Sequence, residues 1–192
     1  MERNNPVKTT GWNPKVISNM NRTIILSFVF AIAVLPQAVA GVIKVGEGQT
    51  ITSIQRGIDM AAAGDTVLVD EGIYRQGTII INKSIVLKGL NHPVLDGEKK
   101  YELLSVRSPN VTVDGFLIRN SGHSSMTDIS GIKIYNTYDI TVINNILEDN
   151  FVGIYSQQGR QCIIKNNRIT ASSTETQLSG NGIHCWKSDS MH

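Results

Sequence analysis

The sequence predicts an all-β fold: a right-handed parallel β-helix with a short capping helix at its N-terminal end. Three observations predict it. The first is a repeat, in which GIKIYNTYDITVINN (131–145) returns as GIYSQQGRQCIIKNN (153–167), displaced by 22 residues throughout. Self-similarity at a period of about 20–50 residues marks stacked units that bury their apolar faces against one another. The second is a series of short apolar runs punctuated by Gly, Asn, Asp or Pro, with no helical pattern between them. Such runs suit a solenoid in which every coil lays its strands on those of the coil before. The third is the pair Asn144-Asn145, which recurs as Asn166-Asn167. Stacked asparagines tolerate left-handed backbone and hydrogen-bond along the stack, which suits the corners of such a coil.

The elements follow in chain order. Residues 1–40 read as an N-terminal extension and signal peptide. Arg22 precedes the twelve-residue apolar run Ile24–Leu35, and Ala38-Val39-Ala40 closes it. Twelve residues are too few to span a bilayer, and the basic flank with an Ala-x-Ala exit matches secretory cleavage after Ala40. Met20 offers a second start, so residues 1–19 read as an over-extended beginning. The mature region, 41–192, is then periplasmic or secreted. Within Gly46–Gly64, Thr52 and Ser53 are candidate N-caps, and Ile54, Ile58 and Ala61-Ala62 lie at helical spacing, with Gly64 as the stop. This helix would cover the open first coil and hide its unpaired edge. Strand-like runs come next: DTVLV (65–69), GTIII (77–81), SIVLKG (84–89), PVLDG (93–97), LLSV (103–106) and NVTVDGFLI (110–118). VTVDGFLI (111–118) aligns with ITVINNIL (140–147), and IVLKG (85–89) is a weaker earlier copy. The inserts NSGHSSMTDIS (120–130) and TASSTETQLSGN (170–181) lengthen two coils as polar loops.

The alternation assigns faces. Ile132 and Ile134, Ile154 and Ser156, and Ile183 and Cys185 point inward. Lys133, Tyr155 and His184 stack outward, as do Tyr135, Gln157 and Trp186. Cys162 replaces Ile140 and Cys185 replaces Ile134, so both thiols are expected buried, on different strands and unpaired. Aligned on this repeat, Met191 falls on Ile140 and the sequence stops inside a strand, so the last coil is expected to be truncated, with an exposed edge and apolar cross-section.

Composition narrows the functions. Residues 1–40 hold four of the 18 basic and one of the 16 acidic residues, leaving a body near −1 with no electrostatic footprint for nucleic acid. No carboxylates group in one column across coils, so no catalytic residues are assigned. The outward aromatics Tyr135, Tyr155 and Trp186, with His184, form a candidate binding surface for sugar or protein, or else shield the sheet from solvent. His123, Met126 and Asp128 share the 120–130 insert and are candidate metal ligands. Imidazole and thioether are donors that copper prefers, and an insert the scaffold does not need is where function is commonly added. Cys162, Cys185, His184 and Met191 are further soft donors.

The segments SIQRGIDMAAAGDTVLVDEGIYRQG (53–77), KSIVLKG (83–89), PVLDG (93–97), VTVDGFLIRNSG (111–122), DISGIKI (128–134), NNILEDNFVGIYSQ (144–157) and GNGIHCWKS (180–188) together resemble the NosD family. These are periplasmic β-helix proteins of the pectin-lyase-like solenoid class, associated with maturation of nitrous oxide reductase. The order DGFLIRNSG, GIKI, NNIL, FVGIY, GNGIH carries most of the specificity. The resemblance implies a non-enzymatic accessory role in delivering copper or sulfur, with the reductase or an ABC-type membrane complex as partner and copper as the associated metal. The family is also described through a carbohydrate-binding and sugar-hydrolase type of domain. The competing expectation is therefore a secreted carbohydrate-binding or polysaccharide-degrading β-helix.

Overall fold

Apolar residues alternating every second position along short strands can be buried only against other strands, and here they are buried against copies of themselves. The computed structural model describes residues 40–124, 126–171 and 180–192. The signal-peptide reading and most of the 170–181 insert lie outside these residues. The chain enters through β1 (Val42–Val45) and α1 (Ile54–Met60). Coils of three strands follow: β2 (Thr66–Val69), β3 (Ile73–Tyr74) and β4 (Ile79–Ile81); then β5 (Val86–Gly89), β6 (Val94–Asp96) and β7 (Leu104–Val106). The third is β8 (Val111–Asp114), β9 (Leu117–Arg119) and β10 (Ser130–Tyr135); the fourth is β11 (Ile140–Ile143), β12 (Ile146–Glu148) and β13 (Val152–Gln157). The last is β14 (Arg160–Lys165), β15 (Arg168–Thr170) and β16 (Ile183–Trp186), and β17 (Asp189–Met191) begins another.

Every strand pairs in parallel with its counterpart one coil away. The result is a seven-stranded sheet β1-β2-β5-β8-β11-β14-β17 and two five-stranded sheets, β4-β7-β10-β13-β16 and β3-β6-β9-β12-β15. This is a right-handed parallel β-helix, the handedness that twisted strands impose on parallel crossovers. The repeat read from the sequence is the register of the sheets: Ile132 lies on Ile154 and Ile154 on Ile183, Val113 on Val142 and Val142 on Ile164.

The asparagine corners form as expected. Asn144 and Asn166 take φ near +55, and Gly115 occupies the equivalent corner at φ +80. The second residue of each pair turns inward. Asn145, 1% exposed, accepts the Phe116 N–H at 3.0 Å and donates to the Val113 carbonyl at 3.1 Å and to Asn167 at 3.1 Å. Asn167 repeats the pattern, accepting the Asn145 N–H and donating to the Val142 carbonyl. Each side chain thus satisfies backbone groups that the turn removes from the ladder.

Helix α1 closes the first coil, burying Ile54 and Ile58. Ser53 caps it, its hydroxyl accepting from the Arg56 N–H. It ends sooner than Gly64, because Ala61 is already extended (ψ 143) and Lys83 Nζ donates to the Ile58, Asp59 and Ala61 carbonyls. A Cβ on Gly57 would stand 2.6 Å from Val45 Cγ2 and 3.2 Å from Val67 Cγ1, so only glycine lets the helix lie this close.

Three side-chain placements differ from the sequence expectation. Ile183 is 48% exposed and Cys185 is exposed, although both keep the inward register. They belong to the last described coil, where no further coil stacks on them among the described residues. Tyr155, read as outward, is only 5% exposed. The 120–130 insert accounts for this: Asp128, within it, bonds the Tyr155 side chain.

Candidate functional site

The outer face of the sheet β4-β7-β10-β13-β16 gathers more polar and aromatic side chains than a solvated strand face needs. Register sets the arrangement. Ile80, Ser105, Lys133, Tyr155 and His184 form one outward column, and Tyr135, Gln157 and Trp186 form the next. At the buried end stands Lys133, 8% exposed, with Nζ 4.8 Å from the Tyr135 ring centroid and 4.9 Å from that of Tyr155. Its ammonium donates to the Asp128 carbonyl at 3.2 Å and lies 4.0 Å from Glu102 Oε2. Attraction to two ring faces and a carboxylate offsets the cost of desolvating that charge.

Glu102 is the anchor. The Tyr135 hydroxyl donates to its carboxylate at 3.0–3.1 Å, the Ser105 hydroxyl makes a short bond to Oε1, and the Arg107 guanidinium covers the Tyr135 ring at 4.6 Å. Burial, and then the Glu102 charge beside it, push the Tyr135 phenol up to about 12. Burial followed by Asp128 raises Tyr155. At neutral pH both phenols are therefore neutral, and Glu102 is occupied by Tyr135 and Ser105. These bonds hold Tyr135, Ser105 and Glu102 in one arrangement on the sheet face. Toward the exposed end, the His184 ring lies 4.9 Å from that of Tyr155. Trp186 is 40% exposed, with Lys187 Nζ 4.5 Å over its ring.

All four surface residues expected from the sequence thus fall on one face. Tyr155 is committed to packing, Tyr135 and His184 are half-buried, and Trp186 is exposed. Sequence reasoning missed Glu102 and Arg107. Both flank β7 in a coil whose similarity to the repeat is weak, so no alignment placed them beside Tyr135.

The three candidate metal ligands each have partners of their own. The His123 ring packs edge-on against Phe151, centroids 4.5 Å apart. Met126 is 91% exposed, and the N–H groups of Met126 and Thr127 both donate to the Ser124 hydroxyl. Asp128 is engaged with Lys133 and Tyr155. Among the described residues no three His, Cys, Asp or Glu side chains converge as a metal site would require. The imidazole and thioether suit copper chemically.

No curated protein sequence matches the chain significantly. Among solved structures, it is similar to the pectin methylesterase from Aspergillus niger in its deglycosylated form, at 12% identity and a TM-score of 0.41. That alignment covers 81% of this chain and 74% of that one. The penultimately deglycosylated form of the same enzyme matches at 13% identity and a TM-score of 0.40, over the same shares. The family model described as periplasmic copper-binding protein (NosD) matches residues 58–191, from α1 through β17, which is most of the chain. The chain therefore belongs to the NosD family.

Proposed function

We propose that this protein is a periplasmic accessory factor in the maturation of a copper enzyme, nitrous oxide reductase, and that it acts without catalysing a reaction of its own. The family match across all the coils carries this reading. The face bearing His184 and Trp186 supports it as the contact surface for the reductase or for an ABC-type membrane complex, because an exposed tryptophan beside buried, rigid neighbours is the usual anatomy of a binding hot spot. Copper binding is part of the proposal, with His123, Met126 and Asp128 as its first candidate ligands. The decisive experiment measures copper in nitrous oxide reductase purified from cells lacking this protein. Copper-poor reductase, restored by the wild-type gene and poorly restored by Trp186→Ala, is the expected outcome. Fully loaded reductase from the deletion strain would sink the proposal.

A second reading, a carbohydrate-binding β-helix, is favoured by the aromatic column Tyr135–Trp186 with Arg107 and Lys187 over its rings. Retention on polysaccharide affinity gels, abolished by Trp186→Ala, would select it over the first.

A further inference from the structure

Sulfur is unevenly distributed on this solenoid. Five described residues carry it, and three of them, Cys162, Cys185 and Met191, fall at one corner, where β13 turns into β14 and β16 turns into β17. Register places them. Cys185 lies on Ser156, and Met191 lies on Cys162, each one strand spacing away, about 4.8 Å. The two lower positions face each other across Gly159: a Cβ there would collide with Ser156 Oγ and stand 3.2 Å from Cys162 Sγ. The diagonal is closed as well, since Met191 Sδ lies 3.8 Å from Ser156 Oγ. Ser156 thus sits among the three sulfur residues, its hydroxyl held by Ser188 at 2.9 Å.

We propose that Cys162, Cys185 and Met191 form a three-sulfur Cu(I) site at this corner. The proposal rests on the copper reading above and moves its ligands away from the 120–130 insert. Two thiolates and a thioether form a soft donor set that selects Cu(I), whereas harder divalent ions prefer nitrogen and oxygen. Among the described residues Cys162 is 0% exposed, Met191 is half-buried and Cys185 is exposed. Binding Cu(I) displaces the thiol protons to solvent and changes no oxidation state, so affinity falls as pH falls.

The test is an anaerobic Cu(I) titration of the reduced full-length chain against a chromogenic chelator, followed by ultraviolet thiolate-to-copper absorption and by protection of the thiols from alkylation. One Cu(I) per chain is expected, with both thiols protected. Cys185→Ser and Met191→Leu nearly conserve side-chain volume, so circular dichroism should show them folded. Each should weaken binding about tenfold or more, and by more than a His123→Ala, Met126→Ala double variant does. Binding that survives both sulfur variants and is lost in the double variant overturns this site and leaves the copper reading intact. No Cu(I) binding by the wild type overturns both. A Cys162–Cys185 disulfide that resists mild reductant overturns the site alone.

Discussion

Lys133 is the residue on which the functional face turns. A buried ammonium between two tyrosine rings is tolerated because Glu102 and the Asp128 carbonyl lie beside it, and that arrangement ties the 120–130 insert to the sheet. The Tyr135 phenol belongs to the same network and leaves a pH signature. Its pKa is raised to about 12 in the folded protein, whereas an unfolded tyrosine ionises near 10. The unfolded state therefore loses this proton first, and stability falls as pH rises from about 10 toward 12, with no pH dependence from this group at neutral pH. Tyr135→Phe should flatten that alkaline limb in denaturant titrations; an unchanged limb would mean that the Tyr135 phenol is not its source. One position away the inside–outside assignment can be checked. Ile154, 0% exposed, faces the core, and Ile154→Asp buries an unpaired charge, with a loss of about 4 kcal/mol or more expected. Tyr155→Phe removes only the bond to Asp128 and should cost about 1 kcal/mol. Equal losses for the two would reverse the assignment.

At the scale of elements, the corners matter as much as the strands. Asn145→Leu keeps the volume roughly but strands the Phe116 N–H and the Val113 carbonyl inside the coil, so about 2–4 kcal/mol should be lost. Asn144→Gly, at φ 55, keeps the left-handed backbone and forfeits mainly the bond to Asp114, so a change below about 1 kcal/mol is expected. Thermal denaturation of the two variants side by side tests whether the ladder or the backbone conformation dominates. The capping helix offers a third check. Gly57→Val drives a branched side chain into Val45 and Val67, which should lift α1 from the first coil and increase hydrogen exchange in β1 and β2, while β11 to β13 keep their protection. Uniform loss of protection along the solenoid would show that the coils unfold as a single unit.

Over the whole molecule, stacking explains why the fold was legible and the site only partly so. Each coil touches mainly the coils before and after it, so a 22-residue repeat in the chain becomes a register in space with little room for other solutions. The same logic let the columns Lys133–Tyr155–His184 and Tyr135–Gln157–Trp186 be written down from alignment alone. It failed where the repeat is faint or interrupted. Glu102 and Arg107 lie in a coil of weak similarity, and the 120–130 insert has no counterpart in the neighbouring coils against which to align. Its covering of Tyr155 therefore has no periodic signal.

The sequence by itself determined the parallel β-helix, its inward and outward faces, the left-handed asparagine corners and the capping helix, because all of these follow from local periodicity and backbone preference. Tertiary structure alone decided what meets across the coils. It set Glu102 under Tyr135, enclosed Lys133 between two rings, packed His123 on Phe151, and stacked Met191 on Cys162 with its sulfur beside Ser156. The physical reason is that a strand pattern fixes the face on which a side chain stands, whereas its neighbours on that face depend on how many residues each turn and insert consumes before the chain returns.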